Sequence, residues 1–284
     1  MDGIIIVDKE KNCTSRDVVN IASRVLKTKK VGHTGTLDPI ATGVLVLCVN
    51  KATKVAELLT ASDKEYIAKV ELGYITDTLD SEGTIIKEEY KNISFEEINK
   101  VIKKFVKTYN QEVPIYSSVK VKGRKLYEYA REGIPIEPPE KEVTIYDLEL
   151  LEYDGKFLTF RSKVSKGTYI RALIRDILNE LGTIGTMVEL RRISQGKFNV
   201  EEAISMESLK NGDFCLTSIR NFLDAKVVKL EDNISKKVLN GHPIELDYVG
   251  DYILFVKDDI DVAIYVFKDN GYKPFKVLNN SWKK

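Results

Sequence analysis

The sequence predicts an α+β fold, a mixed and mainly antiparallel sheet with flanking helices over residues 1–225, followed by a small β-rich unit over 226–284. Three observations carry this prediction. Strand and helix patterns alternate irregularly through the first part, which disfavours a doubly wound parallel sheet. Two strand runs, Val143 to Tyr153 and Phe157 to Val164, are joined by Asp154-Gly155, the turn chemistry of an antiparallel hairpin. From about Val227 the pattern changes to short strands separated by Asp, Asn and Gly turns, including Asp269-Asn270-Gly271.

In chain order, Gly3 to Val7 is a short β-branched run and reads as a buried strand. Thr14, Ser15 and Asp17 precede Val18, Val19, Ala22, Val25 and Leu26, spaced as one face of a capped helix that stops at Lys27, Lys29 and Lys30. Gly32 to Gly43, rich in Gly and Thr and containing Pro39, reads as a loop; Val44 to Val49 follows as a continuous apolar strand. Ala52 to Thr60 has a helical pattern, and Tyr66 to Leu72 alternates as a half-buried strand. Asp80-Ser81-Glu82-Gly83 is a turn before Thr84 to Ile86, which makes a hairpin. Ser94 with Glu97 forms a capping box for a helix whose apolar face is Phe95, Ile98, Val101, Ile102, Phe105 and Val106. Val113 to Arg124 is irregular, Leu126 to Arg131 a short helix, and Pro135 to Pro139 a connector. After the Asp154-Gly155 hairpin come a helix from about Tyr169 to Leu181 and a strand from Met187 to Ile193. Val227 to Leu230, Tyr252 to Val256, Val262 to Phe267 and Lys273 to Val277 are the strands of the last unit.

Composition narrows the function classes. At 284 residues, with 43% hydrophobic and 31% charged residues, the chain buries a sizeable core and is not disordered. Lys and Arg number 44 against 43 Asp and Glu, and the last unit carries ten basic and nine acidic residues. A globally basic, DNA-coating protein is therefore excluded, and nucleic-acid contact must come from local clusters. Cys13, Cys48 and Cys215 are widely spaced and odd in number, which argues against a disulfide framework and suits a reducing compartment. His33 and His242 lie at no zinc-ligand spacing, so a local metal motif is absent. No basic segment precedes Ile4 to Val7, which is too short for a signal core or a span, and a cytosolic protein is expected. There is no internal repeat or low-complexity segment.

The most unusual segment is Gly32-His33-Thr34-Gly35-Thr36-Leu37-Asp38-Pro39-Ile40-Ala41-Thr42-Gly43. Its glycines and hydroxyls suit a phosphate cradle, but no Gly-Lys-Ser/Thr follows and it is not a Walker loop. In the plainest reading Asp38 caps a turn before Pro39. In the functional reading the loop holds one carboxylate rigidly as a nucleophile or base, and a nearby cation keeps it ionised. Arg171 is a candidate for that cation, against the alternative of a solvated helix-end arginine. Arg161, Lys163, Lys166, Arg171 and Arg175 follow one another with no acid between them, which makes phosphate contact plausible. Lys120, Lys122, Arg124, Lys125 and Arg131 stand against only Glu128, interleaved with Tyr127 and Tyr129 and preceded by Tyr116. Positive charge with aromatic faces suits folded or single-stranded RNA; the same tyrosines, and Tyr66 after Asp63-Lys64-Glu65, are equally consistent with core or strand positions.

These residues carry a resemblance. Lys9 with Thr14-Ser15, the Gly32 to Gly43 loop, Asp63-Lys64-Glu65-Tyr66, Leu72-Gly73 with Thr76-Asp77-Thr78, Tyr116 to Lys120 through Leu126 to Arg131, Ser165 to Arg171, and Leu190-Arg191-Arg192 appear in the order found in the bacterial tRNA pseudouridine synthase B family. The resemblance runs over about residues 1 to 200. It implies isomerisation of uridine 55 in the tRNA T-arm to pseudouridine, without cofactor or metal. It implies Asp38 as the catalytic aspartate, Tyr66 as the active-site tyrosine and Arg171 as the arginine paired with the aspartate. His33 would fill the gap left as the target nucleotide leaves the loop stack, and Leu190 would form an apolar pocket wall. Lys9, Lys120 and Tyr169 join His33 and Leu190 as expected RNA or substrate contacts. The family's Lys-Pro-x-Gly is replaced by Lys9-Glu10-Lys11-Asn12, which bears on the role of Lys9. The last unit stands where the family carries a PUA-like or related RNA-binding domain, assigned here to acceptor-stem contact.

The chemistry of the residues agrees. Pseudouridine formation breaks an N-glycosidic bond, rotates the base and rejoins C1′ to C5, so it needs a carboxylate, a proton acceptor at C5 and walls that retain the free base. Asp38 serves either addition to C6 or abstraction of the 2′ proton toward a glycal. Tyr66 serves by stacking on the base, since a phenol titrating near ~10 is a poor general base at pH 7. Flipping the target costs a few kcal/mol of unstacking, offset by phosphate contacts and stacking. A tRNA-folding chaperone is a second reading compatible with the first, and a phosphate-loop nucleotide hydrolase is a third that lacks its lysine motif. A monomer is expected.

Overall fold

A computed structural model describes residues 2–246, 248 and 250–278. β1 (Gly3–Lys9) leads into α1 (Ser15–Val25), whose capping box is reciprocal: Thr14 accepts from the Asp17 N–H and the Asp17 carboxylate accepts from the Thr14 N–H at 2.9 Å. β2 (Val31–His33) and β3 (Thr42–Val49) flank the Thr34 to Ala41 loop, so Gly32, His33, Thr42 and Gly43 lie in strands where the sequence predicts loop throughout. A 3-10 turn (Asn50–Val55) and α2 (Ala56–Thr60) lead to β4 (Lys64–Leu72), which alternates strictly between buried and half-buried residues. β5 (Tyr74–Thr76) and β6 (Ile85–Glu88) form the expected hairpin.

α3 (Phe95–Lys104) carries the Ser94–Glu97 capping box. Phe95 and Val106, read as part of its apolar face, are exposed; Phe95 opens the helix and Val106 lies past its end, beyond the packed turn. Three short strands follow, β7 (Thr108–Glu112), β8 (Lys120–Val121) and β9 (Arg124–Lys125), and then α4 (Leu126–Arg131). β10 (Glu140–Tyr153) and β11 (Phe157–Val164) are the long hairpin, α5 (Ile170–Leu181) follows with Gly182 in the left-handed C-cap conformation, and β12 (Gly185–Gln195) returns to the sheet. β13 (Phe198–Asn199) and α6 (Met206–Asn211) precede the last unit, which comprises β14 (Lys226–Lys229), α7 (Asp232–Leu239), β15 (Tyr252–Lys257), β16 (Ile260–Lys268) and β17 (Gly271–Val277). The last unit is thus not wholly β, and α7 has no counterpart in the sequence reading.

The central sheet runs β1-β3-β12-β4-β11-β10-β7, with β2 on β3 and β13 on β12. Its pairings are antiparallel except for the parallel contact of β12 with β3 through Arg191 opposite Thr42 and Arg192 opposite Gly43. β1 and β3 are buried on both faces, which explains their unbroken apolar runs. Ile5, Val7, Leu45 and Leu47 join the core under the helices; Ile4, Ile6, Val44, Val46 and Cys48 join a second core with Leu254 and Ile264 of the β14-β15-β16-β17 sheet and Leu278 just past it. A third core around Phe255, Tyr265 and Tyr272 packs α7 on that smaller sheet.

The parallel seam places special demands on Gly43. Its φ is +99°, and a Cβ there would lie 2.1 Å from the Arg192 carbonyl oxygen, a backbone atom with no room to retreat. Gly43→Ala is therefore expected to destabilise the fold by about 3 kcal/mol or more, read by urea unfolding against wild type; a change under about 1 kcal/mol would show that the seam is not closed this tightly.

Candidate active site

The Thr34 to Ala41 loop is held from several directions. Ser15, at the start of α1, accepts from the Leu37 N–H at 2.9 Å and donates to the Leu37 carbonyl at 3.2 Å. The Asn12 N–H and the Lys9 ammonium both donate to the Pro39 carbonyl, at 2.9 and 3.3 Å. Arg192, 1% exposed, donates to the carbonyls of Gly35 and Val44. With Leu37, Ile40 and Ala41 buried as anchors, the Asp38 side chain is left 35% exposed at the cleft.

Arg171 enters from the first turn of α5. Its guanidinium is buried and meets four acceptors: Asp38 Oδ2 at 3.1 Å, Asp80 Oδ2 at 3.4 Å, the Thr78 carbonyl at 2.9 Å and the Tyr116 carbonyl at 3.1 Å. Asp80 is itself fixed, accepting from Thr78 Oγ1 at 2.7 Å and the Glu82 N–H at 3.2 Å. One planar cation therefore joins two carboxylates of unequal access at the cleft, Asp80 4% exposed and Asp38 far more open.

That cleft, about 620 Å³, is lined by Asp38, Tyr66, Tyr169, Arg171 and Leu190, so the structure brings these five expected residues together. Tyr66 on β4 and Leu190 on β12 are each 7% exposed and come from paired strands, Leu190 lying opposite Ala68. Apolar and aromatic walls of this kind with few convergent polar groups suit a flat, partly polar ring. Burial pushes the Tyr169 hydroxyl above the ordinary phenol range. Lys64, Lys141, Lys166, Arg131 and Arg192 also line the cleft, and so do Asp80 and Glu82. Burial pushes the Lys64 ammonium down to about 8, and the Arg192 charge adds to that. Burial, then Asp80 and Asp38, push the Glu82 carboxyl up.

Three expected contacts lie elsewhere. Lys9 is fully buried, its ammonium bound to the carbonyls of Glu10, Cys13 and Pro39, so it braces the Asp38 loop from behind and does not face a ligand. As placed here Lys9 serves that loop, and its hydrogen-bond partners are the carbonyls of Glu10, Cys13 and Pro39. His33, half-buried on β2, lies outside the cleft lining; its Nδ1 accepts from the Gly35 N–H at 3.3 Å, and burial with Arg16 and Arg192 holds it below the usual imidazole range, hence neutral at pH 7. Lys120 is exposed on β8, beyond the wall.

Three members of the basic run from Arg161 to Arg175 are held in ion pairs, while Lys163 and Lys166 are exposed. Arg161 pairs with Glu149, Arg171 with Asp38 and Asp80, and Arg175 with Glu112 and Asp176. Asp80 is the principal site residue missed from the sequence: a turn reading absorbs it, and no local spacing announces a partner as remote as Arg171. Among the described residues no group of three or more His, Cys, Asp or Glu is placed to hold a metal ion, and no helix is long and apolar enough to cross a membrane.

Comparison with known proteins agrees with this geometry. Residues 23–170 match the TruB family pseudouridylate synthase N-terminal domain, and residues 171–232 match the tRNA pseudouridylate synthase B C-terminal domain. The chain is 39% identical over 285 residues to the tRNA pseudouridine synthase B of Caldicellulosiruptor saccharolyticus, covering 98% of each chain. It is 41% identical over 291 residues to that of Mycoplasma mycoides, again covering 98% of each. Among solved structures it is similar to a chain in the crystal structure of a Cbf5-Nop10-Gar1 complex, with a TM-score of 0.73 and 26% identity over 99% of this chain and 86% of that one.

Proposed function

The chain belongs to the TruB family and is a tRNA pseudouridine synthase, an RNA-binding isomerase, and from that premise we propose that it converts uridine 55 in the T-loop of tRNA to pseudouridine with Asp38 as the catalytic carboxylate. The observation that carries this reading is the Arg171 to Asp38 contact of 3.1 Å at a cleft walled by Tyr66 and Leu190.

In this reading the target nucleotide leaves the T-loop stack and enters the cleft, where Tyr66 stacks on the base and Leu190 closes its other side. Arg171 aims Asp38 by offering its carboxylate a fixed cation at 3.1 Å. Asp38 then acts at C6 of the base or at the 2′ proton, and both routes end with C5 joined to C1′. Retaining the detached base during rotation is the task of the walls, since loss of uracil would leave an abasic site. His33, as a neutral ring, fills the space the target vacates. Residues 226–284 form a PUA-like unit that contacts the acceptor stem. The enzyme acts as a monomer on the T-arm in the cytoplasm, which suits three unpaired thiols, and it requires neither metal nor cofactor.

The test is single-nucleotide mapping of pseudouridine in an unmodified tRNA transcript incubated with the protein alone. One new modification at position 55 is expected; modification elsewhere, or none, would overturn the target.

A pH dependence follows from Lys64. Its charge is present below about 8 and lost as pH rises past that value, because its basicity is lowered in the fold. If it meets a backbone phosphate at the cleft, tRNA affinity at fixed ionic strength falls between pH 7 and 9, and Lys64→Arg, which keeps its charge, removes most of that fall. An identical fall in both proteins would exclude Lys64 as its source.

A further inference from the structure

The first turn of α5 carries Tyr169 and Arg171, yet it lacks the capping box that starts α1 and α3. In α1 and α3 the third helical residue, Asp17 or Glu97, reaches back to the N-cap amide. In α5 that third position is Ala172, which has no polar atom to offer, and Tyr169 at the N-cap makes no side-chain cap. The missing acceptor comes from another part of the chain. Gln111 on β7, 1% exposed, accepts the Tyr169 N–H through Oε1 at 2.9 Å.

Gln111 is in turn held. Its Nε2 donates to the Tyr109 hydroxyl at 2.9 Å, and that hydroxyl donates to Asp176 Oδ2 at 3.1 Å on the second turn of α5. Arg175 donates to Asp176 Oδ1 at 3.0 Å and returns to Glu112 of β7 at 2.7 Å. β7 is the edge strand of the central sheet, and its helix-facing residues are Tyr109 and Gln111, a polar pair where a strand docked only for stability would present apolar side chains. A buried hydrogen-bond chain of this kind fixes orientation, because each member has one geometry that satisfies all its partners.

We infer that Gln111 and Tyr109 are positioning residues for the reaction: by holding the Tyr169 amide they set the first turn of α5, and so the aim of the Arg171 guanidinium at Asp38 and of the Tyr169 ring at the cleft. The inference rests on the pseudouridine synthase reading of that cleft. Neither residue lines it, so each acts only through Tyr169 and Arg171. Small displacements of reacting groups cost rate far more than they cost substrate binding, which uses many contacts. The signature is therefore a loss of rate without a matching loss of affinity.

The experiment compares full-length wild type, Gln111→Leu, Gln111→Glu, Tyr109→Phe and Leu148→Ala, the last a core change on the neighbouring β10 outside the cleft. Single-turnover pseudouridine formation on a tRNA transcript, tRNA Kd and Tm are measured for each. Gln111→Leu is expected to lower the single-turnover rate about tenfold or more with Kd within about twofold, whereas Gln111→Glu, which keeps an acceptor for the Tyr169 N–H but gives up the Nε2 donor to Tyr109, is expected to recover part of that loss. Leu148→Ala is expected to lower Tm and leave the rate unchanged. A wild-type rate in Gln111→Leu, an equal rate loss in Leu148→Ala, or no rescue by Gln111→Glu overturns the inference. If Gln111→Leu does not fold, Tyr109→Phe decides, with a loss of about threefold expected and a wild-type rate overturning it. A wild type that leaves the transcript unmodified overturns the assigned reaction and this inference with it; an active wild type with an unaffected Gln111→Leu overturns this inference alone.

Discussion

Asp38→Asn is expected to lower pseudouridine formation by at least about a thousandfold, because it replaces the cleft carboxylate that carries 35% exposure with an amide that neither attacks nor takes a proton, while preserving shape. Asparagine is nearly isosteric, and the loop that carries it is held by Ser15, Lys9 and Arg192, none of which touches the carboxylate. The fold and the tRNA affinity should therefore survive, with Kd within about threefold of wild type. Side-by-side rate, affinity and tRNA-refolding measurements separate chemistry from binding. A variant that binds and refolds tRNA without modifying it would establish folding of the RNA as a separable activity. Full turnover in Asp38→Asn would remove Asp38 from the mechanism.

Arg171 is expected to give the largest combined effect on stability and rate. Arg171→Ala leaves Asp80, 4% exposed, without its cation and strands the Thr78 and Tyr116 carbonyls. Removing one partner from a buried charge pair costs about 3–5 kcal/mol, which should appear in urea unfolding. Adding Asp80→Asn in the same chain should restore part of that stability, since the orphaned charge is gone, yet leave the rate near the floor, since Asp38 still lacks its partner. Arg171→Lys keeps the charge but gives three donors on a mobile stem in place of a planar fork that spans four acceptors. It is expected to fold and to lose about a hundredfold in kcat/KM. An Arg171→Lys enzyme with wild-type kcat/KM would show that charge alone suffices and that the fork geometry is incidental.

Much of this was legible in the sequence where local chemistry and tertiary position agree. The capping boxes at Thr14 and Ser94 are local agreements of side chain and backbone, and both helices start where those residues predict. Asp154-Gly155 similarly fixes the β10 to β11 hairpin. The Gly32 to Gly43 segment stands out by composition, but its ends are drawn into β2 and β3 by pairing with residues that sequence alone does not place. β7 escaped notice because its sequence, Thr108 to Glu112, has no apolar alternation, its inward positions being Tyr109, which packs on the core and also hydrogen-bonds, and Gln111, which hydrogen-bonds. Lys9 misled for a related reason. A lysine near a presumed active site suggests a phosphate contact, whereas burial and three backbone carbonyls make this one a brace. Asp80 escaped because its meaning lies entirely in a contact with Arg171, and local patterns do not report such contacts.

The strand order has a consequence for how the protein comes off the ribosome. β12 sits between β3 and β4, although both of those neighbours are complete long before residue 185 is made. Until β12 emerges, one edge of β4 and the Thr42-Gly43 end of β3 lack their partner strand, and the Asp38 loop lacks Arg192 to hold it. Long-range insertions of this kind raise contact order and delay the folding transition. The nascent chain thus passes the stretch of synthesis between residues 72 and 185 with strand edges open and no assembled active site, the interval in which chaperoning of exposed strands has the most to protect.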